Sequence, residues 1–176
     1  MITEKQRLKA AREVVYRYKD KYDYKDYEFL FGAWIVPSGL QRFTNAIVAV
    51  QTNKHIGLPT ISTNKQFNMH FVKLFDAFNK TKQYCEIQLS EADIKRIGIE
   101  GQKEYYADNP DRLIQYGKTW ITKWNLYLAV YALGGEDIKL KYFMDDNKDK
   151  IAIISENGAA VIAFYDKDKD KQNDRP

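Results

Sequence analysis

The stretch "WNLYLAVYALGGEDIKLKYF", from Trp124 to Phe143, changes its period in the middle. An apolar run of helical length, Trp124 to Leu133, stops at Gly134 and Gly135, where glycine supplies the left-handed conformation that closes a helix. An alternating, strand-like run begins at once, at Ile138. Thr122 stands where a helix N-cap belongs. The spacing therefore predicts a helix that feeds directly into a sheet.

Two more strand-like runs follow, Lys150 to Ser155 and Ala159 to Tyr165. "DDNKD" joins the first pair, and Asn157-Gly158 is a hairpin signal for the second. Upstream, "RLIQYGKTWI" reads as a strand. The ending "DKDKDKQNDRP" alternates in sign and has no apolar residue, which reads as a solvated tail.

The front of the chain repeats this order. From Thr3 to about Tyr22 a helical stripe sets Leu8, Ala11, Val15, Tyr18 and Tyr22 on one face. Thr3 is the candidate N-cap, with Glu4 and Gln6 only loosely matching a capping box. A second stripe at the same spacing holds Lys5, Lys9, Arg12, Tyr16 and Lys19, a basic ridge that also reads as a plain solvated face. Then comes a β-rich run to Val36, a turn of Pro37, Ser38 and Gly39, and a second β-rich run from about Gln41 to Gln51.

Between these halves, "KQFNMHFVKLFDAFNK" spaces Phe67, Phe71, Leu74 and Phe78 for one helix face, which reads as core. "YCEIQLS" alternates like a strand, and Ser90 with Asp93 opens a short helix. From Gly98 to Arg112 the pattern fades into a polar connection broken by Pro110. The expected fold class is α+β, with two helix-plus-antiparallel-meander half-units at about 1–56 and 113–166 and a helical insertion at about 57–112. Residues 1–166 read as one domain and 167–176 as a disordered tail.

At 176 residues and 44% hydrophobic content the chain can bury a real core. No run reaches the roughly 20 apolar residues of a membrane span, and "MITEKQRLKAAREVV" opens on charges rather than a signal-peptide core. A cytoplasmic protein away from membranes is expected. Cys85 is the single cysteine, so no internal disulfide forms, and the formal charge of +4 is compatible with a polyanion partner.

Catalytic signals are sparse. The sequence has no Gly-rich phosphate loop, no nucleophile elbow and no paired-cysteine or His-Glu-x-x-His metal motif, so neither enzyme nor cofactor is expected. His55 and His70 have no ligand spacing and read as structural or surface residues. "DKDKD" from Asp166 starts like a calcium loop but carries Lys171 at the sixth position, where glycine is needed. Asp145 and Asp146 read as turn residues as readily as metal ligands, and no metal site is expected.

In its order of features, "IQYGKTWITKWNLYLAVYALGGEDIKLKYFMDDNKDKIAIISENGAAVIAFY" resembles the last half-unit of a DNA sliding clamp, the bacterial polymerase III beta subunit. These features are a short strand with a turn, a helix centred on Tyr127 and Leu128, then three strands joined by an acidic turn and a glycine hairpin. "FLFGAWIVPSGLQRFTNAIVAVQT" is similar to the front of such a domain, with Thr44-Asn45-Ala46 in place of a Thr-Asp-Gly-like turn. The stretch from Gly57 to Asn109 has no counterpart, and the chain has room for one clamp domain only.

The resemblance implies a non-catalytic, DNA-associated protein with a replication, processivity or accessory role. Its two half-unit helices would line a concave face, with Lys5, Lys9, Arg12 and Lys19 toward the phosphates of double-stranded DNA and Lys118 and Lys123 adding to them. Surrounding a duplex would require a homo-oligomer joined through outer strands, and a replication protein would be a partner. The second reading is a small phage or mobile-element interaction protein that binds a replication or defence protein without encircling DNA. It would use Tyr16, Tyr22 and Tyr24 of "YRYKDKYDYKDY", which also read as rings packing a helix end onto a sheet.

Overall fold

A computed structural model describes residues 1–16, 32–62, 71, 72, 75, 84–103, 112–143 and 150–163. The helices are α1 (Glu4–Tyr16), α2 (Glu91–Lys103) and α3 (Lys123–Leu133). The strands are β1 (Trp34–Ile35), β2 (Gln41–Thr44), β3 (Val48–Thr52), β4 (Tyr84–Gln88), β5 (Leu113–Tyr116), β6 (Thr119–Thr122), β7 (Lys139–Phe143), β8 (Lys150–Ser155) and β9 (Gly158–Ala163).

Seven strands form one sheet in the order β1-β2-β3-β9-β8-β7-β4, and β5 and β6 make a separate hairpin. Every pairing between these strands is antiparallel, so the fold class is α+β with antiparallel sheets. The meanders β1-β2-β3 and β7-β8-β9 join edge to edge, from Val48 opposite Ile162 to Thr52 opposite Gly158. Alternate residues point to one face, and on it Phe43, Val48, Val50, Leu140, Ile151, Ile153, Ala160 and Ile162 are fully buried. A smaller cluster of Trp34, Val36, Ala49 and Phe71 covers the opposite face near β1, with the Trp34 and Phe71 rings edge-to-face at 5.3 Å.

Helix α3 lies against β3, β8 and β9, and α1 and α2 both pack on it. Ten of its eleven residues are buried, Trp124 through Leu133. A helix that is apolar all round is stable only when enclosed on every side. Thr122 caps its start by accepting from the Asn125 N–H at 3.1 Å. At its end Gly134 adopts φ 61°, and the last carbonyls find donors on the β8–β9 connection. Ser155 Oγ donates to the Gly134 carbonyl at 2.8 Å and Asn157 Nδ2 to that of Leu133 at 3.2 Å.

Two glycines let α2 approach. A Cβ on Gly101 would stand 2.8 Å from the Lys123 carbonyl, and one on Gly98 would stand 2.7 Å from Cζ of Tyr131. Tyr131 in turn donates to the Ile94 carbonyl at 3.2 Å. This is why the helix expected to fade at Gly98 continues to Lys103. Its start is as expected, with Ser90 and the Asp93 carboxylate bonding one another's backbone N–H groups at 3.2 and 3.1 Å.

Other elements depart from the sequence reading in register. The run from Gln41 to Gln51 is a hairpin rather than one strand. Asn45 Oδ1 accepts from the N–H groups of Ile47 and Val48, and Ala46 takes φ 71°. "RLIQYGKTWI" is likewise a hairpin, turning at Gly117 and Lys118. The final turn is formed by Glu156 and Asn157, one residue earlier than expected, with Gly158 already paired to Ser155. In α1 the capping box is complete: Thr3 N–H donates to Gln6 Oε1 at 2.9 Å and Gln6 N–H to Thr3 Oγ1 at 3.3 Å. The buried face of α1 is Arg7, Ala10, Ala11, Val14 and Val15, so Leu8 is only half-buried.

The region expected as an insertion is built into the layers. β4 pairs with β7 along its whole length, and α2 closes one side of α3. That burial also corrects the expectation that α1 and α3 line a concave face, because α3 presents almost no surface. Of the helix expected around Phe67 to Phe78, Phe71, Val72 and Phe75 are helical and the rest lies outside the described residues.

Two measurements test this packing. Helix propensity alone favours Ala over Gly by about 1 kcal/mol, yet Gly101→Ala should lower stability by roughly 1–3 kcal/mol in urea unfolding because the Lys123 carbonyl cannot move aside. Alkaline titration tests the tyrosines. Burial pushes Tyr127 up to about 12 and raises Tyr131 as well. Their neutral forms belong to the folded state, so stability is full below the ordinary tyrosine value near 10 and falls as pH rises toward about 12. Tyr127→Phe should flatten that fall.

Candidate nucleic-acid interface

The geometry of α1 follows from its two ends and its buried face. The Thr3–Gln6 box fixes the start, and Ala10, Ala11, Val14 and Val15 seat the helix on α3. That seating turns Lys5, Lys9 and Arg12 outward, and all three are exposed. At three- and four-residue spacing they share one side of the helix. With Gln6, Leu8 and Glu13 they line an open depression of about 400 Å³. Lys9 Nζ donates to Gln102 Oε1 of α2 at 3.0 Å, which holds that cation over the junction of the two helices.

The remaining residues named for the two sequence-based sites are distributed as follows. Lys118 is exposed on the β5–β6 turn and is not among the residues lining the depression. Lys123 is half-buried in the first turn of α3, with Nζ 3.6 Å from the Glu100 carboxylate of α2, so its charge is partly met within the fold. Tyr16 ends α1 and is 36% exposed. Lys19, Tyr22 and Tyr24 lie outside the described residues.

Sequence reasoning missed Arg7. Its spacing from Ala10, Ala11 and Val14 puts it on the apolar face, which is the signal that would have found it. It is 1% exposed and packs against Gly134, where a Cβ would come within 2.7 Å of its Nε. A guanidinium at that place complements the negative end of α3. Nη2 donates to the Lys54 carbonyl at 3.3 Å and Nη1 to Glu4 at 3.4 Å. Lys54 Nζ meets the same Glu4 carboxylate at 2.7 Å, and that hydrogen bond, joined by Arg7's charge, holds Glu4 below the usual carboxylate range. The group ties α1 to the end of β3, leaving Lys5, Lys9 and Arg12 as the outward cations of this helix.

On the far edge of the sheet Glu86 of β4 receives Lys139 and Lys141 of β7 at 2.9 and 3.0 Å, and their hydrogen bonds hold it below its usual range. His55 places Nε2 2.7 Å from the Gly39 carbonyl, a turn contact. His70, the Asp145-Asp146 pair and the "DKDKD" run lie outside the described residues. Among the described residues no three His, Cys, Asp or Glu side chains gather as metal ligands, and no helix is long and apolar enough to cross a membrane. Compared with family models, with curated proteins and with solved structures, the chain has no match in any of the three.

Proposed function

We propose that this is a non-catalytic, DNA-associated protein that touches duplex phosphates through helix α1 without encircling the duplex. The observation that carries the reading is the joint exposure of Lys5, Lys9 and Arg12 on one side of a helix whose other side is seated in the core. Cations held on a rigid helix neutralise phosphates and release counterions without base contacts. The sliding-clamp likeness supports an accessory role in replication. It rests on element order, a helix and an antiparallel meander occurring twice with the meanders sharing one sheet. Encirclement is left out because the buried α3 offers no second helix to a duplex.

Three cations predict weak, salt-sensitive binding. The logarithm of the association constant should fall against the logarithm of salt concentration with a slope no steeper than about −2.7, as roughly three neutralised phosphates give. The protein with Lys5, Lys9 and Arg12 all changed to Glu should keep its fold, since exposed positions shift stability by no more than about 0.5 kcal/mol each, and should lose duplex retention in fluorescence anisotropy at low salt. Unchanged binding by that variant would remove α1 from the site. A protein-binding role would then rest on the exposed Tyr16 end of the same helix.

A further inference from the structure

The two edges of the large sheet are unlike. At the β1 end the chain covers its own short edge strand in part, at Ala33: the Ala33 N–H donates to the Pro59 carbonyl at 2.8 Å, and the Ile61 N–H to the Ala33 carbonyl at 2.9 Å. At the other end β4 is last in the order, and Tyr84, Glu86, Ile87 and Gln88 are all exposed. An edge is usually guarded by Pro, by Lys or by a bulge. β4 has none of these: it pairs in unbroken register with β7, and its one charge, Glu86, is already met by Lys139 and Lys141.

The register says which backbone groups are open. The Leu89 N–H donates to the Ile138 carbonyl at 2.9 Å, so in an antiparallel ladder Cys85 and Ile87 also turn their backbone groups toward β7. Tyr84, Glu86 and Gln88 then turn theirs outward. The segment from Cys85 to Leu89 reads the same in both directions in polarity: apolar, polar, apolar, polar, apolar.

We infer that β4 is a self-pairing edge whose occupant is the β4 of a second copy of this chain, antiparallel and centred on Ile87. In that register Glu86 of each copy stands opposite Gln88 of the other. Those two residues exchange both backbone hydrogen bonds, and the carboxylate faces an uncharged carboxamide, whose Nε2 donates to the Ile138 carbonyl of its own chain at 3.3 Å, rather than a second carboxylate. Ile87 faces Ile87 at the closely spaced, non-hydrogen-bonded position, and Cys85 faces Leu89 on the same side of the sheet. This covers the 38% of Ile87 that is exposed in the single chain. A register centred on Glu86 would instead set two carboxylates face to face, which is unfavourable. The pairing is isologous and uses up the β4 edge of both copies, so assembly through it stops at two. A ladder of this length buries less than the roughly 1,200 Å² of a stable interface, so the dimer is weak and concentration-dependent.

Sedimentation equilibrium of the full chain from micromolar to millimolar concentration reads this directly. The mass should rise from one chain toward two and no further. Ile87→Lys should hold the protein at one chain, and Gln88→Glu, which places carboxylates opposite one another, should move the midpoint to higher concentration. Circular dichroism of both variants checks that the fold is kept. A wild-type mass of one chain at every concentration would overturn the inference, as would growth beyond two copies. A dimer untouched by both substitutions would overturn it too, and a dimer sensitive to Ile87→Lys alone would reject the register.

Discussion

A short helix with no polar side has to be surrounded, and that requirement organises this molecule. α3 meets the sheet through β3, β8 and β9 and is closed off by α1 and α2. Each large aliphatic side chain removed from water there contributes about 1.5–3 kcal/mol. That drive is non-directional, and the polar groups supply the direction. Thr122 fixes where α3 begins, while Ser155 and Asn157 fix where it ends, with the buried Arg7 side chain packed against Gly134. The end of β8 and the β8–β9 turn thus close a hairpin and cap a helix together, with Asn157 taking part in both.

The enclosure has consequences at the surface. Because α1 is held by its apolar face and by Arg7, its opposite side carries Lys5, Lys9 and Arg12 as an array of fixed geometry. Because α2 has to lie close to α3, glycine is required at positions 98 and 101, where helix propensity would choose otherwise. Because α3 occupies the middle of the helical side, it presents almost no surface of its own. The proposed role is accordingly a one-helix contact with phosphates.

Much of the fold was legible in the chain. The three strands of the second meander, the Thr122 cap, the Gly134 stop, the Ser90–Asp93 start and the strand at Tyr84 follow from period and cap chemistry, which act over a few residues. The misreadings share one cause. The Gln41–Gln51 run hides a turn because Asn45 makes it with its own side chain, where no glycine marks it. α2 was cut short at Gly98 because a glycine inside a helix looks like an ending until the ring of Tyr131 stands against it. Arg7 was passed over because a charged residue on an apolar face looks like an interruption.

The sequence by itself determined the α+β class, the helix-then-meander order of the two halves, much of the aromatic and aliphatic core and the placing of Lys5, Lys9 and Arg12 on one side of α1. Each of these depends on residue type and local spacing, which a chain carries before it folds. The tertiary structure decided how the two meanders join at β3 and β9, that β4 extends the sheet, and that α3 is enclosed by both other helices. It alone separated Lys123, paired with Glu100, from the outward cations of α1. Those outcomes depend on contacts between residues far apart in the chain, where burial and close approach outweigh local preference.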